Sequence, residues 1–508
     1  MNDKDHYDIA IIGGGILGCS IAYFLCYHAE PDTRVILIEQ ESSAASHTSS
    51  RNTGKVHAPF LYDPSKRKLF AKAASLGFEM LSDYCRSRNL PFIQDGIMEV
   101  ATNEKAVDHL YKYIDWGYSN GLSNRELKFL DRREVTEMEP NVRCMGAIHC
   151  TKDASVDYGE ITKRLLVDAR ILGCRVMFGT RVISVTLKQR SYSIPSNDSR
   201  RALSSNFQLK VLGARTISNP KSSDVEIGSV PEQKKEARAP SPLESKEFSL
   251  YELSADYLIN VAGGAALHIA HGMGLAKGYQ ALHFRGEYWE APSEFRDLTR
   301  MSIYSVPKYP EYPFLDPHWI VRIDGRREVG PNAVLVSGPY AYNWHQNIKL
   351  VLPKILESIR DTGRVGLFNL FTDKKFVSLG LHEIWSSMSK KAMINRARQF
   401  LPALDSSCFT KRGTSGIRSS LINKDGKFVP DIFVVGDENS THVLNYNSPG
   451  ATGALPVAAM IVSRIVRQGI FKTSARSPQN DTEDLSHSSN PVARWDIHHI
   501  SDLLTPLT

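Results

Sequence analysis

The amino-acid sequence predicts an α/β fold, α+β overall, from three observations. Apolar strands alternate with helices at the start of the chain. Three widely separated segments each follow the order strand, glycine loop, helix, and a further region is rich in strands and aromatic residues. The 508 residues are enough for two domains, so we expect one domain with a parallel sheet and a second domain with a mixed sheet.

The first of the three segments is DIAIIGGGILGCS, which starts at Asp8. Its apolar run predicts a buried parallel strand, and Gly13, Gly15 and Gly18 fit the spacing G-x-G-x-x-G before a predicted helix. A second apolar strand, RVILIEQ, ends near Glu39, whose carboxylate can accept hydrogen bonds from ribose hydroxyls. This order predicts a Rossmann-like unit that binds a dinucleotide, either NAD or FAD.

The two later segments favour FAD over NAD. ADYLINVAGGAALHIA contains Gly263, and DIFVVGDENSTHVLNYNSPGATGALPVAAMIVSRIV contains Ser448, Gly450 and Thr452. A compact NAD domain does not need the last segment, whereas the longer FAD must be held at its flavin end as well. The N-terminus of a late helix can stabilise negative charge on a reduced flavin.

Composition excludes several classes of protein. A net charge of +7 is mild for this length, and the dispersed Lys and Arg residues argue against a nucleic-acid-binding or tRNA-modifying flavoprotein. No apolar run is long enough for a transmembrane helix, although peripheral membrane contact stays open. Seven scattered cysteines without a C-x-x-C motif predict reduced thiols and no metal site. Together with a polar start of the chain, they predict a cytoplasmic protein.

The chain resembles the FAD-dependent oxidoreductases of the D-amino-acid-oxidase/glycine-oxidase superfamily, and within it the L-2-hydroxyglutarate dehydrogenases and oxidases. The resemblance rests on RNTGKVHAPFLYDPSKRKLFAKAA, DASVDYGEI, FRGEY, YPFLDPHWIVRIDG, GPNAVL, GIRSSLINKDGKFVPDI and HVLNYNSPGAT. It implies a Rossmann-like FAD-binding domain interleaved with a mixed-sheet substrate domain. It also implies oxidation of a small L-2-hydroxy acid, with L-2-hydroxyglutarate to 2-oxoglutarate as the first expectation, by hydride transfer to flavin.

The glycine segments and the resemblance together imply a set of cofactor-binding residues drawn from all three segments and from the loop after the second strand. These residues are Gly13, Gly15, Gly18, Glu39, Thr48, Ser49, Asn52, Gly54, Val182, Gly263, Gly416, Ser448, Gly450 and Thr452.

Oxidation of a 2-hydroxy acid needs a base for the hydroxyl proton and a cation for the carboxylate. His57 and His318 are the two candidates for the base, and the sequence does not choose between them. The candidates for the cation are Arg418, Arg322 and Arg285, with Arg418 placed nearest the flavin by the resemblance. A dicarboxylate would need a second cation, for which Lys55 or Arg285 could serve.

The predicted domains alternate along the chain. They are residues 1–90, 151–275 and 404–472 for the FAD-binding domain, 91–150 and 276–403 for the substrate domain, 191–246 for a disordered insertion and 473–508 for a flexible tail.

Several alternatives stay open at this point. An amino-acid or amine oxidase of the same superfamily would use the same FAD frame and the same arginine. A glycerol-3-phosphate dehydrogenase would need a cluster of cations for the phosphate, which the sequence does not show. The electron acceptor (oxygen, a quinone or an electron-transfer protein), covalent or non-covalent attachment of FAD, and the oligomeric state are not determined by the sequence.

Overall fold

The structure, a computed structural model, describes residues 5–189, 205–213, 249–309, 312–314, 316–348, 364–474 and 490–505. The helices are α1 (Ile16–His28), α2 (Lys68–Ser87), α3 (Glu104–Ser119), α4 (Arg132–Met138), α5 (Tyr158–Ile171), α6 (Ala266–Gly272), α7 (Arg364–Thr372), α8 (Lys374–Met388), α9 (Lys390–Arg398), α10 (Ala454–Arg467) and α11 (Ile497–Leu504).

The strands are β1 (His6–Ile12), β2 (Val35–Ile38), β3 (Lys55–Val56), β4 (Phe92–Ile93), β5 (Ile97–Ala101), β6 (Leu127–Asp131), β7 (Gly146–Cys150), β8 (Ala154–Val156), β9 (Arg175–Met177), β10 (Thr180–Gln189), β11 (Ser205–Gly213), β12 (Ser249–Asn260), β13 (Gln280–Gly286), β14 (Trp289–Glu290), β15 (Ser302–Ser305), β16 (His318–Val321), β17 (Arg327–Gly330), β18 (Val334–Val336), β19 (Lys411–Arg412), β20 (Gly416–Ile422), β21 (Phe433–Gly436) and β22 (Ser440–Asn445).

The first large sheet has the strand order β10-β11-β12-β1-β2-β9, and β22 pairs with β12 and with β21. Strand β1 runs parallel to both β2 and β12, and β12 runs parallel to β22. The three glycine-bearing segments therefore end at the same edge of one sheet. In open α/β sheets, ligands bind in the crevice outside the carboxyl ends of such strands.

A second large sheet has the order β19-β14-β17-β16-β15-β5-β7-β6, and smaller sheets are formed by β18-β13-β20 and by β3-β8-β4. The second sheet thus combines strands that precede and strands that follow β9–β12 in the chain. The predicted α/β class with interleaved sheets is confirmed, whereas the exact domain boundaries stay predictions.

The helix that follows the first glycine loop is the centre of the main core. Every residue of α1 except His28 is buried, because the helix packs against α5, α10 and the sheet. A helix that is apolar on all sides is stable only inside a protein. The loop before α1 is consequently held against the edge of the sheet.

The predictions of a disordered insertion and of a flexible tail are each partly wrong. Within the predicted insertion 191–246, Ser205–Gly213 form β11, because Phe207, Leu209 and Val211 alternate along the strand and are all fully buried. Of the predicted tail 473–508, residues 490–505 pack on the core, since the apolar face of α11 lies against α10 and α2. The other parts of both segments lie outside the described residues, apart from Thr473 and Ser474 at the end of the preceding range.

Candidate active site

One extended cavity runs along the carboxyl edge of the first sheet and reaches the second sheet and the β13–β20 pair. Most of the residues predicted to bind the cofactor line this cavity. They are Gly13, Gly15, Glu39, Thr48, Ser49, Asn52, Val182, Gly263, Gly416, Ser448, Gly450 and Thr452. Chain segments more than 400 residues apart thus meet around one space.

The first glycine loop is shaped by close backbone contacts. Gly13 has a φ of +115°, and a Cβ atom there would lie 2.6 Å from the Val261 carbonyl oxygen. A Cβ atom on Gly18 would lie only 1.9 Å from the Gly13 carbonyl oxygen. Gly18 does not line the cavity; it allows α1 to pack directly on the loop that does. Gly15 caps α1 without a side-chain hydrogen bond, and the first turn of α1 contains no acidic residue. The Ile16 amide donates to Ser49 Oγ at 2.9 Å, and no acidic side chain of the first turn neutralises the positive end of the helix, which can therefore attract an anion.

Glu39 lies beside this loop at the end of β2. Its Oε2 accepts a hydrogen bond from the Gly14 amide at 2.6 Å and its Oε1 accepts one from the Glu41 amide at 2.9 Å. Burial raises the pKa of the Glu39 carboxyl, while the two amide hydrogen bonds lower it. Each carboxylate oxygen can accept a second hydrogen bond, which suits ribose hydroxyls.

The loop after β2 is held against β20 at the middle of the cavity. Thr48 donates to the Ile417 carbonyl oxygen at 3.1 Å, and a Cβ atom on Gly416 would lie 2.0 Å from the Arg51 carbonyl oxygen. Gly54 does not line the cavity, since with a φ of +72° it forms the turn that leads into β3. A Cβ atom there would lie 2.7 Å from the Val156 carbonyl oxygen.

The late loop between β22 and α10 closes the far end of the cavity. Gly453 caps α10 without a side-chain hydrogen bond, and the first turn of this helix also contains no acidic residue. Thr452 Oγ1 accepts a hydrogen bond from the His57 amide at 3.1 Å. The late loop thereby brings a second uncapped helix N-terminus close to the first candidate base.

His57 is held by a buried carboxylate. Its Nδ1 lies 3.1 Å from Asp153 Oδ1, and the other oxygen of Asp153 accepts a hydrogen bond from the Ala58 amide at 3.2 Å. Asp153 is fully buried, whereas His57 lines the cavity. In the tautomer that donates from Nδ1 to Asp153, Nε2 is free to accept a proton.

His318 also lines the cavity but has a different environment. It is buried, its ring lies 4.1 Å from the Tyr304 ring, and its Nδ1 has no hydrogen-bond partner. Burial, followed by the electrostatic effects of the His57, Arg418 and Arg396 side chains, lowers the pKa of His318 to about 3. His318 is therefore neutral near pH 7 and a poor proton acceptor.

Arg418 is the one of the three candidate arginines that lines the cavity, whose lining also includes Lys55, Arg51 and Arg181. It lies on β20, and its Nη1 donates to the Pro313 carbonyl oxygen at 2.7 Å. No carboxylate among the described residues forms an ion pair with it, and burial lowers the pKa of its guanidinium. A half-buried cation without an acidic partner is costly, and an anionic ligand would offset that cost.

The other two candidate arginines do not line the cavity and have acidic partners. Arg322 is paired with Glu328 and donates to the Asn52 carbonyl oxygen. Arg285 is paired with Glu287 at 2.8 Å. Both ion pairs join residues that are close in the sequence, so these arginines are neutralised locally.

Asp153 is a residue of this site that the sequence did not single out. It lies in the stretch DASVDYGEI, which contributes to the family resemblance, but it is 96 residues away from His57. Only the pairing of β3 with β8 brings the two residues together. An isolated aspartate in a loop carries no pattern that would reveal such a partner.

The family model for FAD-dependent oxidoreductases (DAO) matches residues 8–202, which include the glycine loop, Glu39, His57 and Asp153. Residues 8–202 therefore carry an FAD-dependent oxidoreductase domain. FAD is accordingly its cofactor, and the residues of the cavity fit it. The open end of α1 and Gly15 would hold the pyrophosphate, Glu39 the ribose, and the late loop before α10 the flavin end.

Curated relatives of this flavoenzyme span nearly its whole length. L-2-hydroxyglutarate dehydrogenase, mitochondrial, of Caenorhabditis elegans is 28% identical over 471 residues, which cover 92% of this chain and 94% of the relative. L-2-hydroxyglutarate dehydrogenase of Escherichia coli (strain K12) is 27% identical over 459 residues, which cover 90% and 93%.

Solved structures share the fold at lower identity. L-alpha-glycerophosphate oxidase from Mycoplasma pneumoniae, with FAD bound, has a TM-score of 0.62 and 17% identity, with 92% of this chain and 96% of that chain covered. Glycine oxidase from Geobacillus kaustophilus has a TM-score of 0.58 and 15% identity, with 91% and 95% covered. These likenesses support the fold and do not assign a substrate.

No helix among the described residues is both long enough and apolar enough to cross a bilayer.

Proposed function

We propose that this flavoenzyme oxidises a small L-2-hydroxy acid, with L-2-hydroxyglutarate as the first candidate, to the 2-oxo acid. The observation that carries the proposal is a cation without an acidic partner, Arg418, on the same cavity as the His57–Asp153 pair. A 2-hydroxy acid needs both groups, one for its carboxylate and one for its hydroxyl proton. The names of the curated relatives support the choice of substrate.

In this proposal His57 Nε2 accepts the hydroxyl proton of the substrate. Asp153 holds the ring through Nδ1 and stabilises the positive charge that develops on the imidazole. His318, neutral and packed on Tyr304, shapes the pocket and does not act as the base. Arg418 binds the carboxylate next to the reacting carbon through its guanidinium fork. FAD, when bound, would supply the redox chemistry as the hydride acceptor.

The test is anaerobic flavin reduction with a panel of substrates, followed at the flavin absorbance band by stopped flow. We expect rapid bleaching by L-2-hydroxyglutarate, little by its D enantiomer, and none by glutamate or glycine. Arg418→Lys keeps the charge but loses the fork, so KM should rise and kcat/KM should fall by about 10- to 1000-fold.

Arg322→Lys is the matched control, because Arg322 is paired with Glu328 and does not line the cavity. It should change kcat/KM by less than about threefold. Rapid bleaching by an amino acid, with none by any 2-hydroxy acid, would instead place the protein among the amino-acid oxidases.

We also propose a reducing, cytoplasmic location. All seven cysteines are free, five of them buried, which suits a compartment where thiols stay reduced. Fractionation of cells would test this location, and recovery with mitochondria would contradict it.

The electron acceptor needs a separate assay. Turnover of the purified enzyme with oxygen, a soluble quinone and an electron-transfer protein would identify it.

A further inference from the structure

The cavity continues past Glu39 at the carboxyl end of β2. Gln40, His47 and Arg181 line it there. Gln40 follows Glu39 directly in the sequence, and His47 Nε2 lies 3.4 Å from Gln40 Nε2. Arg181 follows Thr180, whose amide donates to the Glu39 carbonyl oxygen at 2.9 Å. These contacts place the three residues beside the position where Glu39 would hold the ribose.

A tyrosine from a distant part of the chain, Tyr340, belongs to the same wall. It lies in the loop that follows β18, and it lines the cavity. Its ring centroid lies 4.8 Å from that of His47, with 46° between the two ring planes. The imidazole therefore does not cover the Tyr340 ring face to face. An aromatic ring on the wall of a cavity can stack on a planar heterocycle.

The loop that carries Tyr340 is held on both sides. On one side Pro339 packs on the second glycine segment, because a Cβ atom on Gly264 would lie only 2.4 Å from Pro339 Cβ. On the other side Tyr342 Oη lies 2.8 Å from His47 Nδ1. The loop thus reaches from the segment after β12 to the segment after β2, and these contacts position Tyr340 without a ligand.

The order of the parts of FAD indicates which part this wall would contact. The pyrophosphate is expected at the first glycine loop, the ribose at Glu39 and the flavin at the late loop before α10. The adenine is joined to the ribose, so it is the part expected beyond Glu39. Adenine is planar and uncharged, and an aromatic side chain matches such a group better than a charged one does.

We propose that Tyr340 is an adenine-binding residue of the FAD site and that the loop after β18 covers the adenosine half of the cofactor. FAD would then connect the small sheet β18-β13-β20 to the first large sheet at two places, through its flavin end and through its adenine. This inference goes beyond the proposed function, because it concerns the cofactor and holds for any substrate.

The experiment starts from the FAD-bound enzyme and adds FMN, which has the flavin and one phosphate but lacks adenosine. Ultrafiltration and chromatography of the bound flavins give the ratio of the FAD affinity to the FMN affinity. Tyr340→Ala should lower this ratio by about 10- to 100-fold, because only FAD loses a stacking contact. Tyr340→Phe keeps the ring, so its ratio should stay within about threefold of wild type.

Trp344→Ala is the matched control, because Trp344 is an exposed aromatic residue that follows the same loop and does not line the cavity. Its ratio should equal that of wild type. An unchanged ratio in Tyr340→Ala would overturn the proposal, whether the two flavins are weakened equally or not at all. Equal weakening would mean that Tyr340 only supports the fold.

Hydrogen exchange of the wild type tests the proposal even if Tyr340→Ala does not fold. Ala341 and Tyr342 donate backbone hydrogen bonds within the loop, to the carbonyl oxygens of Gly338 and Tyr340. These amides should exchange about tenfold more slowly with FAD bound than with FMN bound, because the adenine holds the loop. Equal protection by the two flavins would overturn the proposal. Neither measurement contains a substrate, so failure of the proposed oxidation would leave both results unaffected.

Discussion

The two ends of the cavity are built by opposite means. At the cofactor end the glycine loop places backbone where side chains would not fit, as at Gly13 and Gly18. At the end proposed to bind the substrate, charged and titratable side chains line the cavity or lie directly behind it: His57 and Arg418 are half-buried on the cavity, and Asp153 is fully buried behind His57. The first end depends on close backbone packing, and the second depends on electrostatics in a poorly solvated space.

The residues that form the two ends also differ in how far apart they lie in the sequence. The glycine loop, α1 and β2 with Glu39 follow one another within the first 39 residues. His57, Asp153, His318 and Arg418 come from four separate segments. A local sequence pattern can therefore encode the cofactor end, whereas the substrate end exists only after the sheets have assembled. Substitutions at the two ends should accordingly fail in different ways.

The largest effect is expected at Gly18. A Cβ atom there would lie 1.9 Å from the Gly13 carbonyl oxygen, so Gly18→Val should prevent α1 from packing and abolish both folding and FAD binding. Gly15→Val should behave differently, since the nearest atom to a Cβ there is Ser49 Oγ at 3.2 Å. It should fold but lose FAD, because the side chain would occupy the space of the pyrophosphate.

Circular dichroism melting and the ratio of flavin to protein absorbance measure the two outcomes. A Gly18→Val protein that melts cooperatively with bound FAD would show that the loop has more room than the structure gives it. Loss of folding in Gly15→Val would remove the distinction between the two glycines.

The second comparison separates the two histidines at the substrate end. His57→Asn should slow flavin reduction by the 2-hydroxy acid about 100- to 10,000-fold while FAD stays bound, because the general base is lost. Asp153→Asn should also slow it, since the imidazolium loses its carboxylate partner. His318→Asn should have a much smaller effect on the rate, about tenfold or less.

Single-turnover stopped-flow reduction at saturating substrate measures all three variants. A loss in His318→Asn that equals or exceeds the loss in His57→Asn would assign the base to His318. It would also contradict the inference from the lowered pKa of that residue.

The last comparison concerns the free energy of unfolding and a buried carboxyl on β5. Glu99 on β5 is fully buried, and neither of its carboxyl oxygens has a hydrogen-bond partner. Burial, followed by the negative charges of Asp316 and Asp153, raises its pKa to about 8. In the unfolded state the pKa of Glu99 is near the ordinary value of 4.5. Between these two pH values the carboxyl is therefore protonated in the folded state and ionised in the unfolded state.

It follows that the contribution of Glu99 to stability is fully present below pH 4.5 and is lost as the pH rises toward 8. Glu99→Gln removes this dependence, so its advantage over wild type should grow from pH 5 to pH 8.5, with an upper bound of roughly 5 kcal/mol. Thermal melts of both proteins at pH 5 and pH 8.5, in excess FAD, measure this difference in stability. A difference between the two proteins that does not vary with pH would mean that Glu99 does not titrate in this range.

Particular elements show how far the sequence could be interpreted. Strand β1, helix α1 and strand β2 were predictable because apolar runs and glycine spacing act locally. The run FQLKVLG of β11 is recognisable in the sequence as a β-rich interruption, but the predicted insertion 191–246 included it because long polar stretches flank it. Helix α11 was assigned to a flexible tail for the same reason, although its apolar face is buried against α10 and α2.

The sequence by itself determined the α/β class and the cofactor, because the glycine loop and its flanking strands depend on backbone shape encoded within a few dozen positions. Only the tertiary structure decided which candidates at the substrate end have partners. It placed Asp153 beside His57 and left Nδ1 of His318 without a hydrogen-bond partner. It paired Arg285 and Arg322 with nearby glutamates, and it gave Arg418 no acidic partner among the described residues. Burial and ion pairing set the charge of a side chain, and both arise only when distant strands are brought together.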